Sequence, residues 1–413
     1  MTTHSSLRRA APALGFGFAM AFGSSVGQTF FISLFAGEIR NDLDISHGHF
    51  GALYTAATLA SAVALLWLGK LADSFDLSLI GALALVGLSS SAMLMSGAGS
   101  FFVLCLALFG LRLFGQGLLS HVAITAMGRW HSTDRGKALS VATLGYPAGE
   151  AILPFLVAFS LTLLTWREVW IGASAGMIVI VLPMLLWLGH LVRVRRLDRP
   201  QNDPTEVEAQ RRQSWTRAQV LRDPRFFALL PGLLAPPFAI TGVLFHQVHL
   251  VETKSWTLAA FAACYPLYAI SATAVALGAG WMVDRVGAVS LLRFYLLPLA
   301  FGLALLATID AFYAAPAFMI LMGATAGGAT VVLGAVWAEL YGSEHLGAIR
   351  SLGVALLVLS TAIAPGLMGL LIDTGLGLEF QFAILSVYVF TCAIVFAAML
   401  PSLSAERPPP IRA

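Results

Sequence analysis

Gly69-Lys70-Leu71-Ala72-Asp73-Ser74-Phe75 and Gly280-Trp281-Met282-Val283-Asp284-Arg285-Val286-Gly287 are two versions of one short loop, 211 residues apart. The same offset carries Gly117 onto Gly328, Gly136 and Ser140 onto Gly347 and Ser351, and Ala151-Ile152-Leu153-Pro154 onto Ala362-Ile363-Ala364-Pro365. A constant offset across separate regions marks an internal duplication. Duplicated halves around a midplane site are a recurrent plan of secondary transporters.

On either side of each loop lie apolar runs of the ~20 residues that a membrane helix needs. Twelve such runs are expected, at about 13–36, 48–69, 78–97, 101–128, 138–163, 169–192, 226–250, 257–280, 288–309, 313–338, 347–372 and 380–400. None shows the period-2 alternation of an outer-membrane barrel. The one long polar break divides the chain into a six-helix bundle over 1–192, a linker over 193–225 and a second six-helix bundle over 226–413. The expected fold is therefore an all-α membrane protein, twelve transmembrane helices in two pseudo-symmetric bundles. The linker reads as a solvated cytoplasmic segment, with contact to lipid headgroups as a second reading.

Composition agrees. Of 413 residues, 58% are hydrophobic and 11% charged, with a mean hydropathy of +0.85. A soluble domain carries about 25% charged residues and about 45–50% apolar ones, so a soluble enzyme, a disordered chain and a disulfide scaffold are all excluded. A net charge of +3 gives no reason to expect nucleic acid. Cys105, Cys264 and Cys392 sit singly in apolar runs, without metal-ligand spacing. No phosphate-binding G-x-x-x-x-G-K-[ST] loop is present. The expectation is no metal, no cofactor and no ATP-driven chemistry. With both termini cytoplasmic, 20 Lys and Arg fall inside and only Arg40, Arg167 and Lys254 outside, with Arg112 in a span. That asymmetry sets orientation by the positive-inside rule; the expected location is a bacterial inner membrane. Arg8 and Arg9 precede a run too long for a signal peptide, so the first span is expected to be retained.

The paired loops resemble the loop 2–3 and loop 8–9 signatures, G-x-L-A-D-R-x-G-R, of the major facilitator superfamily. The first copy lacks the Arg after Asp73 and the second Gly. Arg112, Gln116 and Gly117 are similar to the R-x-x-x-Q-G of the superfamily's fourth span, and Gly145, Pro147 and Gly149 loosely follow its fifth-span glycine motif. Gly128 to Ala138 (G-R-W-H-S-T-D-R-G-K-A) and Leu221 to Phe226 resemble the monocarboxylate and oxalate/formate porters. Those porters place a substrate-binding basic residue in the eighth span, and this chain has none over 257–280. The resemblance implies a monomer that works by alternating access. It also implies a cytoplasmic gate built from Gly69, Asp73, Gly280, Asp284, Arg285 and Gly287. Asp73 is expected to face the start of the eleventh span at Gly347–Arg350. By the 211 offset, Asp284 then faces Arg135–Gly136.

A charge at the bilayer centre costs ~2.5–3.5 kcal/mol on insertion scales and so faces a cavity or a partner. Arg112 and Glu150 are the two central ionisable groups, 11 and 12 residues into their spans, or ~17 Å deep at ~1.5 Å per residue. Neighbouring antiparallel helices bring them within range of an ion pair. Three readings stay open: a structural pair, an anion site at Arg112 through its bidentate fork, or a proton carrier at Glu150. Gln116, four residues from Arg112, either shares the substrate or satisfies the guanidinium. His121 reads as a packing residue on the opposite face. His246, near the outer end of the seventh span, is a candidate for coupling or anion binding. Gln28, Tyr265 and Tyr268 are candidate pocket-wall residues. Gly15, Gly17, Gly23 and Gly27 read as close packing or gating flexibility, and Pro236-Pro237 is expected to interrupt the seventh span.

The expected function is secondary transport of a small organic anion such as a carboxylate, proton-coupled or by exchange. Proton-antiport efflux of lipophilic drugs is the alternative. A membrane sensor reusing the fold is a third class, and flux into liposomes separates it from a transporter.

Overall fold

The protein is described by a computed structural model covering residues 3–130, 135–194, 215–342 and 346–404. Among these residues, eleven helices are long and apolar enough to cross a membrane. The bent pair Ala11–Gly27 and Thr29–Leu43 makes twelve when counted as one span. The others are His47–Leu68, Leu77–Ser96, Phe101–Trp130, Ala138–Ser160, Trp166–Val194, Pro224–Phe245, Leu258–Val286, Ala288–Thr308, Ala314–Tyr341, Leu352–Asp373 and Leu378–Pro401. Here they are spans 2 to 12, and the bent pair is span 1.

Local chemistry sets where spans begin. The side chains of Ser46, Asp76 and Ser100 accept the N–H groups of His49, Leu79 and Val103 at the starts of spans 2, 3 and 4. Thr165 and Glu168 form a reciprocal capping box at span 6. Each cap satisfies donors that the first helical turn leaves free. Between the caps the exterior is apolar: Phe102 is 77% exposed and Leu277 75%. Water does not tolerate such continuous apolar surface, whereas lipid does.

The chain forms two compact units. The first holds Met1–Asn202 with Leu244–His249, and the second Asp203–Val243 with Leu250–Ala413. In the first, Leu244–His249 is pinned to the later part of span 1. Ser33 Oγ donates to Leu244 O at 2.7 Å, and Gln247 Nε2 donates to Phe30 O at 2.9 Å and to Ser33 Oγ at 2.7 Å. Arg167 pairs with Asp42. In the second, Lys254 Nζ lies 2.5 Å from Asp310 Oδ1 and 3.5 Å from Glu379 Oε1. The end of the linker also belongs to the second unit, where Trp215 N–H donates to Tyr341 O at 2.9 Å. Linker residues 195–214 lie outside the described residues.

One expectation about helix continuity is corrected, at span 7, and span 1 carries a break of its own. Span 1 is not one straight helix. It passes through a tight 3-10 turn at Ser25–Gly27, Gln28 is extended (φ −83°, ψ 156°), and the two halves meet at 43°. Span 7 is not interrupted at Pro236-Pro237, because one helix runs Pro224–Phe245 through Pro231, Pro236 and Pro237. Pro236 has no N–H to give the carbonyl four residues back, Gly232 O. Tyr295 Oη donates to that oxygen instead, at 3.1 Å. A proline inside a membrane helix is tolerated when a neighbour re-satisfies the freed carbonyl.

Candidate functional site

Spans 1, 4 and 5 meet where span 1 loses its helix. A Cβ on Gly27 would stand 2.2 Å from Leu111 O and 2.8 Å from Gly115 Cα, and one on Gly115 would stand 2.7 Å from Gly27 Cα. A Cβ on Gly149 would lie 2.1 Å from Ser25 Oγ. Only glycine permits these approaches. Of the two readings of the span-1 glycines, Gly27 thus fits close packing, at the point where the backbone also breaks.

The break frees a carbonyl. Phe31 N–H turns to Gln28 O at 3.2 Å rather than to Gly27 O. Arg112 Nη1 fills the vacant position, donating to Gly27 O at 3.2 Å and to Thr29 Oγ1 at 3.5 Å. The guanidinium carbon lies 5.1 Å from the ring centroid of Tyr54, whose hydroxyl is 2.7 Å from Thr29 Oγ1. Arg112 itself sits on a π-helical stretch, Leu111–Leu119. Such wide turns, with i→i+5 hydrogen bonds, occur often at functional sites.

Arg112 is 3% exposed and forms no ion pair among the described residues. The expected Arg112–Glu150 pair is therefore absent, and the guanidinium is held by a carbonyl, a hydroxyl and an aromatic face. Arg112 Nε has no hydrogen-bond partner, and neither has Gln116 Oε1, so Gln116 does not satisfy Arg112. Glu150 is half-buried and makes no hydrogen bond or ion pair among the described residues. The site thus holds an uncompensated buried cation with spare donors and, on the neighbouring span, an unpaired acid. A buried charge of this kind is costly unless paired, which suits a site whose partner is a ligand.

The remaining candidates fall in several places. Gln28 is the extended residue of the span-1 break. His246 is 3% exposed, edge-on to Phe245 at 5.1 Å and 6.1 Å from the His47 ring, while His249 is 4.3 Å from His47. With Arg40 these imidazoles line a cavity of only about 10 Å³, room for roughly one water. Tyr265 is fully buried in the second unit, edge-on to Phe261 at 6.2 Å. Tyr268 is half-buried, and its carbonyl is 2.4 Å from where a Cβ on Gly323 would stand.

Of the gate residues, Gly69 lies beside His121, whose Nε2 is 3.7 Å from where a Gly69 Cβ would be. Arg129 Nη2 anchors the same loop by donating to Ala72 O at 2.8 Å. In the second copy Gly287 has φ +81°, a left-handed conformation that suits glycine. Glu339 Oε2 accepts from Ala288 N at 2.7 Å and from Val289 N at 3.4 Å, capping span 9. Gly280 is half-buried, while Asp284 and Arg285 are exposed, the latter stacked 3.6 Å over Trp281. Arg350 Nη2 donates to Gly334 O at 3.1 Å. The side chains of Asp73 and Arg135 lie outside the described residues, as do both expected gate pairs.

The sequence reading missed Tyr54, Thr29 and the Gly27 carbonyl. The signal for Tyr54 was present: it stands 211 residues before Tyr265, at the offset of the duplication. Nothing in the sequence announced the broken backbone that turns Gly27 O toward Arg112.

The family model of the Major Facilitator Superfamily matches residues 17–319. Among solved structures, the nucleoside transporter NupG is similar with a TM-score of 0.72 and 15% identity, over 95% of this chain and 98% of that one. A bacterial homologue of the human lysosomal transporter Spinster, inward-facing and occupied, is similar with a TM-score of 0.67 and 14% identity, over 99% of this chain and 100% of that one. No curated protein matches the chain. At such identities the solved structures speak for the fold alone.

Proposed function

The chain belongs to the Major Facilitator Superfamily and is a membrane transporter rather than an enzyme; from that premise we propose that it carries a small organic anion, carboxylate-like, by alternating access. One observation carries the reading. Arg112 is buried without a carboxylate and keeps a donor, Nε, unspent. Its planar fork matches two oxygens of a carboxylate. Gln116 Oε1, on the same span, offers an acceptor to a donor group on the substrate. The Gly27 carbonyl, the Thr29 hydroxyl and the Tyr54 ring hold the guanidinium in place without neutralising it.

Glu150 is the proposed proton carrier. With no cation paired to it among the described residues, it can take up and release a proton without breaking an ion pair. The same observation favours a second reading, in which the Glu150 carboxylate attracts a lipophilic cation for proton-driven efflux. Gln28, His246, Tyr265 and Tyr268 remain proposed contributors to substrate binding. The loop residues around Asp73 and Asp284 remain the proposed cytoplasmic gate, in a monomer with both termini in the cytoplasm of a bacterial inner membrane. Purified protein in liposomes tests the assignment: carboxylate uptake that requires Arg112 supports it, and uptake unchanged in Arg112→Ala overturns it.

A further inference from the structure

The second unit contains a cavity that this reading does not use. Its volume is about 160 Å³. Leu230, Leu233 and Leu234 of span 7, Trp337 of span 10 and Leu357 of span 11 are among the residues of its wall. Among the described residues, Arg350 is the single charged side chain that lines it. The lining hydroxyl of Thr330 donates to Ala326 O at 3.0 Å. Among the described residues, one guanidinium therefore supplies the charged recognition of a largely apolar space.

Two glycines, Gly334 and Gly353, also line the space. A Cβ on Gly334 would stand 3.4 Å from Arg350 Nη2, and one on Gly353 would stand 3.6 Å from the Trp337 ring. Arg350 Nη2 donates to Gly334 O, and no carboxylate among the described residues pairs with the guanidinium. Of the five N–H donors of a guanidinium, one is thus committed to the backbone, and the group is fixed at the cavity wall. Arg350 is also exposed, so an anion can reach it.

We propose that this cavity binds an amphipathic organic anion, with its alkyl chain against the leucines and Trp337 and its anionic group on Arg350. The chemistry differs from that at Arg112, which is enclosed by a carbonyl, one hydroxyl and a tyrosine ring. The proposal does not depend on Arg112 being a substrate site. A free alkyl carboxylate and an anionic phospholipid both carry the required group and chain.

The test uses the full-length protein in nanodiscs of zwitterionic phosphatidylcholine, with 8-bromooctanoate as the probe. Bromine quenches a tryptophan that it touches. The expected result is saturable quenching that is largely lost in Trp337→Phe, and binding at least tenfold weaker in Arg350→Gln. Neutral 8-bromooctanol should not reproduce it. Gly353→Leu, which fills the cavity, should abolish it, and Val354→Phe serves as a second filler should the first not fold. Nanodiscs containing phosphatidylglycerol separate the sources. Lost octanoate binding there identifies the lipid as the occupant, and unchanged binding identifies a soluble anion; either supports the proposal. Equal quenching by the alcohol, an unaltered affinity in Arg350→Gln, or no saturable quenching at all overturns it.

Discussion

Arg112 Nη1 donates to the main-chain oxygen of Gly27 across 3.2 Å, at the residue where the first span stops being a helix. The broken backbone and the buried charge are thus one feature. The break supplies an acceptor that holds the guanidinium in the membrane, and the absence of a carboxylate leaves its charge available. In Arg112→Lys the ammonium retains a donor for Gly27 O but loses the planar fork. We expect that variant to fold and to bind the anionic substrate at least tenfold more weakly, a loss of about 1.4 kcal/mol or more, as read by calorimetry.

Close approach of spans 1 and 4 should be intolerant of a methyl group. Gly27→Ala and Gly115→Ala each place a Cβ within 2.8 Å of the opposite backbone. Overpacking of this kind costs about 1–3 kcal/mol. Gly172→Ala, where nothing lies within 4 Å, is the control. Thermal unfolding in detergent should show lower melting temperatures for the first two and none of that loss for the third.

Glu150→Gln keeps the shape of the side chain and removes its titration. If Glu150 carries the coupled proton, the variant should still exchange substrate down its gradient but should not accumulate it under an imposed pH gradient. Uphill uptake equal to that of the unaltered protein would remove Glu150 from coupling.

The Tyr295 hydroxyl replaces the donor that Pro236 lacks. Tyr295→Phe should cost about 1–3 kcal/mol, because Gly232 O is left buried without a partner. In a Pro236→Ala background the helix supplies its own N–H, and the same change should cost less. The double-mutant cycle reads the coupling.

How far the sequence reached follows from what composition and repetition encode. The membrane helices and the burial of Arg112 were legible because apolar length and a lone charge in an apolar run are linear signals. The pairing of Arg112 with Glu150 failed because depth along two helices does not fix their rotation, and Arg112 turns toward span 1. Continuity at span 7 failed for a related reason. Two adjacent prolines looked like a break, but a tyrosine 59 residues further on replaces the donor missing from the second turn around Gly232. The span-1 glycines read as close packing or gating flexibility; Gly27 packs closely on span 4, and a backbone break that the sequence did not announce accompanies it. Such outcomes depend on side chains from other spans. The capping carboxylate of Glu339 was invisible for the same reason, since its target at Ala288 lies 51 residues earlier.

The most direct test of the central claim is ligand-induced thermal stabilisation of the purified protein against small carboxylates, other organic anions and lipophilic cations, at two pH values. A ligand at ~100 times its dissociation constant adds ~2.7 kcal/mol when it binds only the folded state. We expect a small organic anion to stabilise the protein and to have no such effect on Arg112→Ala. Stabilisation by lipophilic cations alone, abolished by Glu150→Gln and indifferent to Arg112, would contradict the account.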